Sequence, residues 1–292
     1  ANGVESIPDS PHFLPTDAPD ARWVFSGVVS NEQGVEYGYF FQMDRRDHAF
    51  HSRSALFDVQ TKAIILQDES DADITAPSLN RWQVGHAFLH FNPINDSWVF
   101  GFKQGNKAGF NFKVDMLRSS ERLPVEQGLR PGISVLVSQV HLLNGHINVP
   151  QVHEEYFVTA KHAWFRQTSV TESQRDAHAV KGVLCRFGDR SGFYSINLPE
   201  ADALRGAVSG RFDAEGLALP MSQFIHVESL EEGRWAIRVP SPRESIVLSS
   251  SAALLQQPSV IAGVAEVGDK TGFCFVSEDE ILGGAKDEHA NA

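Results

Sequence analysis

Three short segments between Val84 and Arg118 alternate apolar and polar residues with a period of two, and a turn separates each from the next. In Ala108 to Arg118, Phe110, Phe112, Val114 and Met116 fall on one side of an extended chain, while Asn111, Lys113 and Asp115 fall on the other. A helix, turning every 3.6 residues, would mix the two sets, so the pattern selects an antiparallel meander with one buried face. In the segment before it, Ser97 to Gln104, Trp98, Phe100 and Phe102 also share a face. Neighbouring strands thus send large apolar side chains into one interior.

The chain of 292 residues is long for one barrel and comfortable for two. No apolar run approaches the roughly 18–20 residues needed to span a bilayer, so no integral membrane segment is expected. With 25 basic against 37 acidic residues the net charge is −12, which repels phosphate backbones and excludes nucleic acid as a partner. Phe, at 20, outnumbers Tyr at 4 and Trp at 5, so the aromatic content is mostly apolar, as a large core or an apolar ligand would require. Only Cys185 and Cys274 are present, too few for a disulfide framework, and the sequence leaves a bridge between them open. The chain starts at Ala1 rather than Met. A processed chain implies a periplasmic or extracellular location, and an unprocessed fragment implies the cytoplasm.

Residues 1–21, with Pro8, Asp9, Pro11, Pro15 and Pro19 in close order, form an extended lead-in. Arg22 to Ser30 and Val35 to Asp44 flank the turn Asn31-Glu32-Gln33-Gly34 and make a hairpin. Further strands are predicted at about His48–Asp58, Lys62–Gln67, Val84–Phe91, Ser97–Gln104, Ala108–Arg118 and Ser134–Leu143. Ser119 to Gly132 lacks periodicity and is expected to be a connection, which puts a first barrel at 22–132 and a second at 133–282. The second half repeats the strand pattern between Glu155 and Val276, and a polar tail follows at 283–292. Gly188-Asp189-Arg190-Ser191-Gly192-Phe193 is echoed by Gly268-Asp269-Lys270-Thr271-Gly272-Phe273. Asp-x-x-Gly between strands is hairpin-turn chemistry.

Motifs for several chemistries are absent. Gly263 to Thr271 imitates a phosphate loop, but Asp269 interrupts the Gly-Lys pair and no helix pattern follows. There is no G-x-S-x-G, G-x-G-x-x-G or H-E-x-x-H. On a strand, His86 and His90 are about 13 Å apart and cannot chelate one ion. His141, His146, His153 and His162 have no diagnostic spacing, so no metal and no cofactor is expected. The densest cluster of reactive side chains is Glu154 to Arg166, where His162, Trp164 and Arg166 share one face of an extended run.

The order Arg22-Trp23-Val24-Phe25-Ser26-Gly27, then Glu36-Tyr37-Gly38-Tyr39-Phe40-Phe41, then Phe57-Asp58 after a His-bearing strand, resembles the start of the carotenoid 1,2-hydratase and AttH-like family. The resemblance covers most of the first half. It implies two consecutive lipocalin-like (calycin) antiparallel β-barrels, an all-β fold. Such hydratases protonate an isoprenoid double bond, stabilise a tertiary cation and deliver water to it, which calls for an acid in an apolar pocket, aromatic faces and a histidine. The family's second barrel opens with Trp and then Asp-His-x-Trp, its Asp and His resembling an acid and base. Here His162-Ala163-Trp164 is preceded by Lys161, and aligning Trp164 with the earlier Trp puts Arg166 at the Asp position. Neither register supplies the acid.

The expected function is therefore binding of a largely apolar small molecule of isoprenoid, polyketide or fatty-acyl type in a barrel or inter-barrel cavity. Trp23, Phe25, Tyr39, Trp98, Phe100, Phe102, Phe110 and Phe112 are its candidate contacts. The alternatives are a cofactor-independent, acid-catalysed hydratase, with His162, Trp164, Glu155 and Asp58 as candidate catalytic residues, and an exported structural protein with filled barrels.

Overall fold

The computed structural model describes residues 14–61, 63–105, 108–116, 125–140, 142–150, 154–160, 163–171, 178–189, 191–198, 207–212, 218–221, 226–231, 233–240, 243–249, 253–256 and 259–282. Among them every regular element of any length is a strand, and the strands form two antiparallel sheets. The first sheet holds β1 (Asp20–Asn31), β2 (Glu36–Arg46), β3 (Ala49–Asp58), β4 (Ile64–Asp73), β5 (Arg81–Val84), β6 (Ala87–Asn92), β7 (Ser97–Gln104), β8 (Ala108–Asp115), β9 (Val125–Arg130), β10 (Ile133–Val140), β11 (Leu143–Val149), β12 (Glu154–Ala160) and β13 (Ala163–Val170). The second holds β14 (His178–Phe187), β15 (Gly192–Asn197), β16 (Ala207–Phe212), β17 (Ala218–Met221), β18 (His226–Ser229), β19 (Arg234–Pro240), β20 (Arg243–Ser249), β21 (Ala253–Gln256), β22 (Ser259–Val267) and β23 (Lys270–Leu282). No helix among the described residues is long and apolar enough to cross a membrane.

The first sheet curls into a nearly closed barrel in the order β4-β3-β2-β1-β12-β11-β8-β7-β6-β5. Its two ends share no backbone ladder, and side chains close the seam instead. Buried Asp68 on β4 accepts from Ser70 Oγ at 3.0 Å and Gln104 Nε2 at 3.0 Å, and lies 3.0 Å from His86 Nδ1. The meander segment beginning at Val84 proves to be the end of β5, a turn at Gly85 and His86, and then β6.

The two sheets divide between Val170 and His178. The boundary expected at 132/133 falls inside the first sheet, because β13 pairs with β1 from Asp20↔Val170 to Gly27↔Ala163 and carries β10 and β9 with it. Val125 to Arg130, read as part of a connection, is the edge strand β9. The tail 283–292 and lead-in residues 1–13 lie outside the described residues.

Inward positions of the first barrel carry the alternating set expected from the meander. Trp23, Trp98, Phe100 and Phe112 are wholly buried in one cluster, and Phe25 stacks on Phe100 with ring centroids 4.2 Å apart. One end of this core is plugged by Arg45, whose guanidinium lies 5.2 Å from the Trp23 ring and 5.8 Å from Trp82, the two rings being stacked at 4.6 Å. Arg45 donates to the carbonyls of Thr16 (2.8 Å) and Ala18 (2.5 Å), so the residues ahead of β1 are drawn across the barrel end. Gln167 Oε1 completes the plug, accepting from Trp23 Nε1 at 2.8 Å and Thr16 N at 3.1 Å. Burial pulls Arg45 below the usual guanidinium range, and Asp17, Asp20 and Asp47 oppose that pull.

The second sheet runs β17-β16-β15-β14-β23-β22-β20-β19-β18 and makes a half-barrel. Cys185 and Cys274, opposite each other on β14 and β23 with Cα atoms 4.1 Å apart, are joined by a disulfide inside its core. The two echoed turns lie side by side: Gly188 N donates to Thr271 O at 2.9 Å, and Lys270 Nζ is 3.1 Å from Asp189 Oδ2. Asp189 accepts from the Ser191 hydroxyl and, at 2.9 Å, from Ser191 N, and chiefly the hydroxyl holds its carboxyl at about 2.

Two stability measurements test these features. Arg45→Ala removes a desolvated cation over two indoles and leaves two carbonyls short of donors, so urea denaturation is expected to show a loss of about 2–4 kcal/mol, only partly recovered by Lys. Replacing both cysteines by Ser releases a crosslink spanning 89 residues of sequence and is expected to cost about 2–4 kcal/mol in the same assay.

Candidate functional site

β1 and β2 are buried on both faces, and the face turned away from the first barrel packs on the second. In β1, Trp23 and Phe25 point in while Val24 and Ser26 point out; in β2, Tyr39 and Phe41 point in while Phe40 points out. Val24, Phe40, Ala55 and Phe57 meet Val260, Ala262 and Phe275 across the junction, and Phe57 stacks on Phe273 at 5.5 Å. A second patch joins Trp164 and Val137 to Tyr194, Ile196 and Phe212.

Between these patches lies a cleft. Its floor comprises two registered rows of the first sheet, Val137-Arg166-Val24 and Trp164-Ser26-Phe40. Its roof is two rows of the second, Tyr194-Leu184-Phe275 and Ile196-Gly182-Ser277. Space is left because Ser26, Gly182 and Ser277 are small where their neighbours are large. The cleft spans about 440 Å³ of atom-free space, part of it open to solvent, but a water-sized sphere can be centred in only about 40 Å³ of it. At about 10–15 Å³ per water that holds roughly three waters, so a larger guest must displace side chains.

Glycines fix the rings around it. A Cβ on Gly210 would lie 2.5 Å from the Tyr194 ring, and one on Gly192 would lie 2.9 Å from Trp164. Trp164 also meets Phe212 edge-on at 4.5 Å. The Tyr194 hydroxyl donates to Gln127 Oε1, and burial pushes its phenol well above the ordinary range, so it stays protonated. Chemically, the cleft offers apolar walls, a neutral phenol, two serine hydroxyls and one guanidinium. No carboxylate is among its described lining residues.

Of the candidate catalytic residues, Trp164 lines this cleft. His162 lies outside the described residues. Asp58 caps the turn after β3, its Oδ1 accepting from Gln60 N at 2.8 Å and Thr61 N at 2.9 Å. Three strand spacings separate it from β13, about 14 Å. Glu155 is exposed on β12, 3.4 Å from His146 Nδ1, and the pairings Ser30↔Thr159 and Ser26↔Trp164 along β1 put it roughly 26 Å from Trp164. The structure therefore does not bring Asp58 and Glu155 together with Trp164. The eight aromatic ligand candidates are brought together inside the first barrel, where Trp23, Phe25, Tyr39, Trp98, Phe100, Phe102, Phe110 and Phe112 are at most 2% exposed and fill the space with one another. A guest there must part these rings. No group of three or more His, Cys, Asp or Glu able to hold a metal occurs among the described residues.

Sequence reasoning missed Val24, Phe40, Leu184 and Tyr194 as cleft residues. The signal was present: Trp23-Val24-Phe25 and Tyr39-Phe40-Phe41 do not alternate, which is what strands buried on both faces look like.

No protein-family model matches the chain, and no curated protein does. Several solved structures share its architecture. One is a putative AttH from Nitrosomonas europaea, with 13% identity, a TM-score of 0.67, and coverage of 96% of this chain and 99% of the other. This chain has the AttH fold. Another is kievitone hydratase from Nectria haematococca, with 12% identity, a TM-score of 0.64, and 95% of each chain covered. The AttH-like likeness read from Trp23 to Asp58 thus extends, as fold, over nearly the whole chain.

If Trp164 holds the two sheets together, Trp164→Ala is expected to lower stability by about 3–5 kcal/mol in urea denaturation. Phe157→Ala, at an exposed position, serves as the control and is expected to change it by less than about 0.5 kcal/mol.

Proposed function

We propose that this protein binds a largely apolar small molecule, of isoprenoid, polyketide or fatty-acyl type, in the cleft between its two sheets. The observation that carries the reading is the make-up of the cleft: apolar rows on both walls, a few hydroxyls and one cation, at a junction between sheets where ligand sites commonly form. The first barrel is the weaker site, since its rings already occupy their own interior.

Hydration is the second reading, favoured by the fold shared with kievitone hydratase and by Trp164 on the cleft floor. Protonating carbon needs an acid stronger than a phenol, and Tyr194, raised by burial, is a poor one. With no carboxylate among the described lining residues, binding ranks ahead of catalysis. The buried Cys185–Cys274 bridge supports an oxidising compartment, periplasmic or extracellular.

Titration with retinol and with long-chain fatty acids, followed by tryptophan quenching, tests the site. Saturable 1:1 binding is expected, weakened at least tenfold by the cleft-filling changes Ser26→Leu and Gly182→Leu, and changed less than about twofold by Phe100→Leu in the first barrel. The reverse pattern would move the site into that barrel. Absence of binding by every probe would remove the reading.

A further inference from the structure

The cleft floor carries a hydroxyl that the fold leaves without a task. Ser26 stands between Trp164 of β13 and Phe40 of β2 in one registered row, and all three residues are at most 4% exposed. Its side chain lines the cleft, and among the described residues none hydrogen-bonds to it. On the roof, Ser277 of β23 is half-buried opposite Gly182, and its hydroxyl likewise has no partner among the described residues. The register slips just beyond it: Gly182 pairs with Ser277 but Val180 with Glu280, so β23 carries one extra residue there. A bulge of this kind bends its strand and re-aims the side chains beside it. Charge, by contrast, is accounted for. Arg166 is engaged within the protein, and Glu280 holds the next register position beyond the Gly182–Ser277 row. Tyr194 gives its proton to Gln127.

We infer that the cleft selects an uncharged ligand, an apolar body bearing a hydroxyl or carbonyl oxygen that accepts from the Ser26 hydroxyl, with Ser277 offering a second hydroxyl from the roof. The inference rests on the cleft being the binding site and names the ligand's polar group. A serine hydroxyl is one donor and a two-lone-pair acceptor, so it serves a carbonyl or an alcohol equally. A hydroxyl shut away from water is costly to leave unpaired, and a hydrogen bond made to it in a low-dielectric site is stronger than one made in water. A bare hydrocarbon of the same shape leaves Ser26 unpaired once it displaces the cleft's waters. A carboxylate must shed its own hydration to enter a site whose guanidinium is already engaged.

Four ligands on one isoprenoid skeleton isolate the oxygen. Farnesol, farnesal, farnesene and farnesoic acid are compared on the full chain by displacement of Nile red, a neutral apolar probe, at a pH where the acid is ionised. On the wild type the alcohol and aldehyde are expected to bind at least about threefold more tightly than the acid. In Ser26→Ala the alcohol and aldehyde lose about fivefold, while farnesene changes by less than about twofold. Comparing each ligand between two proteins cancels the differences among the ligands in water. A loss shared by farnesene, or no loss for farnesol and farnesal, overturns the inference while leaving the cleft reading in place, as does a wild type that prefers the acid. If none of the four displaces the probe, the cleft reading fails and the inference with it. The comparison of acid with alcohol needs no variant to fold.

Discussion

Burial of β1 and β2 on both faces is the constraint from which the rest of this structure follows. A strand with one wet face can close a barrel alone; a strand reading Trp-Val-Phe or Tyr-Phe-Phe cannot, because every second side chain would be left in water. Trp23, Phe25, Tyr39 and Phe41 spend one face on the interior of the first barrel. Val24 and Phe40 must then be covered from outside, and β14, β22 and β23 supply the cover. The second sheet is thus part of the solvation shell of the first, and the cleft is where that cover is imperfect. Its walls inherit their apolar character from a folding requirement, and Ser26, Arg166, Tyr194 and Ser277 are the few polar groups among them.

The barrel interior obeys a different logic. It is packed ring against ring, and one end and the seam are tied by polar side chains. At one end Arg45 sits on the Trp23–Trp82 stack and ties down the carbonyls of the residues before β1. At the seam Asp68 draws together Ser70, His86 and Gln104 where no ladder is formed. A buried cation and a buried carboxylate are each costly to desolvate, and each is stabilised here by several donors, acceptors or ring faces rather than by one partner. Such ties lower the chance of transient opening, and a barrel so closed serves better as a platform than as a ligand chamber.

How much of this was legible in the sequence depends on the range of the interaction. Period-two alternation in Phe110, Phe112 and Val114 is a local signal, and it placed those side chains inside the first barrel, where they are. The division between sheets was not local. It is decided by β13 pairing with β1 across most of the chain's first half, and nothing in Ser119 to Gly132 or its neighbours announces that partner. For the same reason β9 was taken for a connection: an edge strand with Gly128 in its middle has little pattern of its own. The cleft was half visible, since the broken alternation at Val24 and Phe40 signals a second buried face without saying what buries it. Arg166 and Trp164 were singled out through their shared face, which the structure retains as adjacent rows of one cleft floor.

The choice between holding a molecule and transforming it turns on where carboxylates sit. Asp58 and Glu155 are occupied at the periphery, one capping a turn and the other paired across an exposed hairpin with His146. Asp44, one row beyond the cleft on β2, is held by Arg22 in a bidentate contact that also fixes β1 against β2. Removing its charge would weaken the strand pair on which both faces depend, so the fold itself works against using Asp44 as a proton donor. With Asp44 committed to structure and no carboxylate among the described lining residues, the binding reading is the one these residues support. The fold is shared with kievitone hydratase, and the placement of Asp44 on β2 and Arg166 on β13 sets where charge meets the cleft walls.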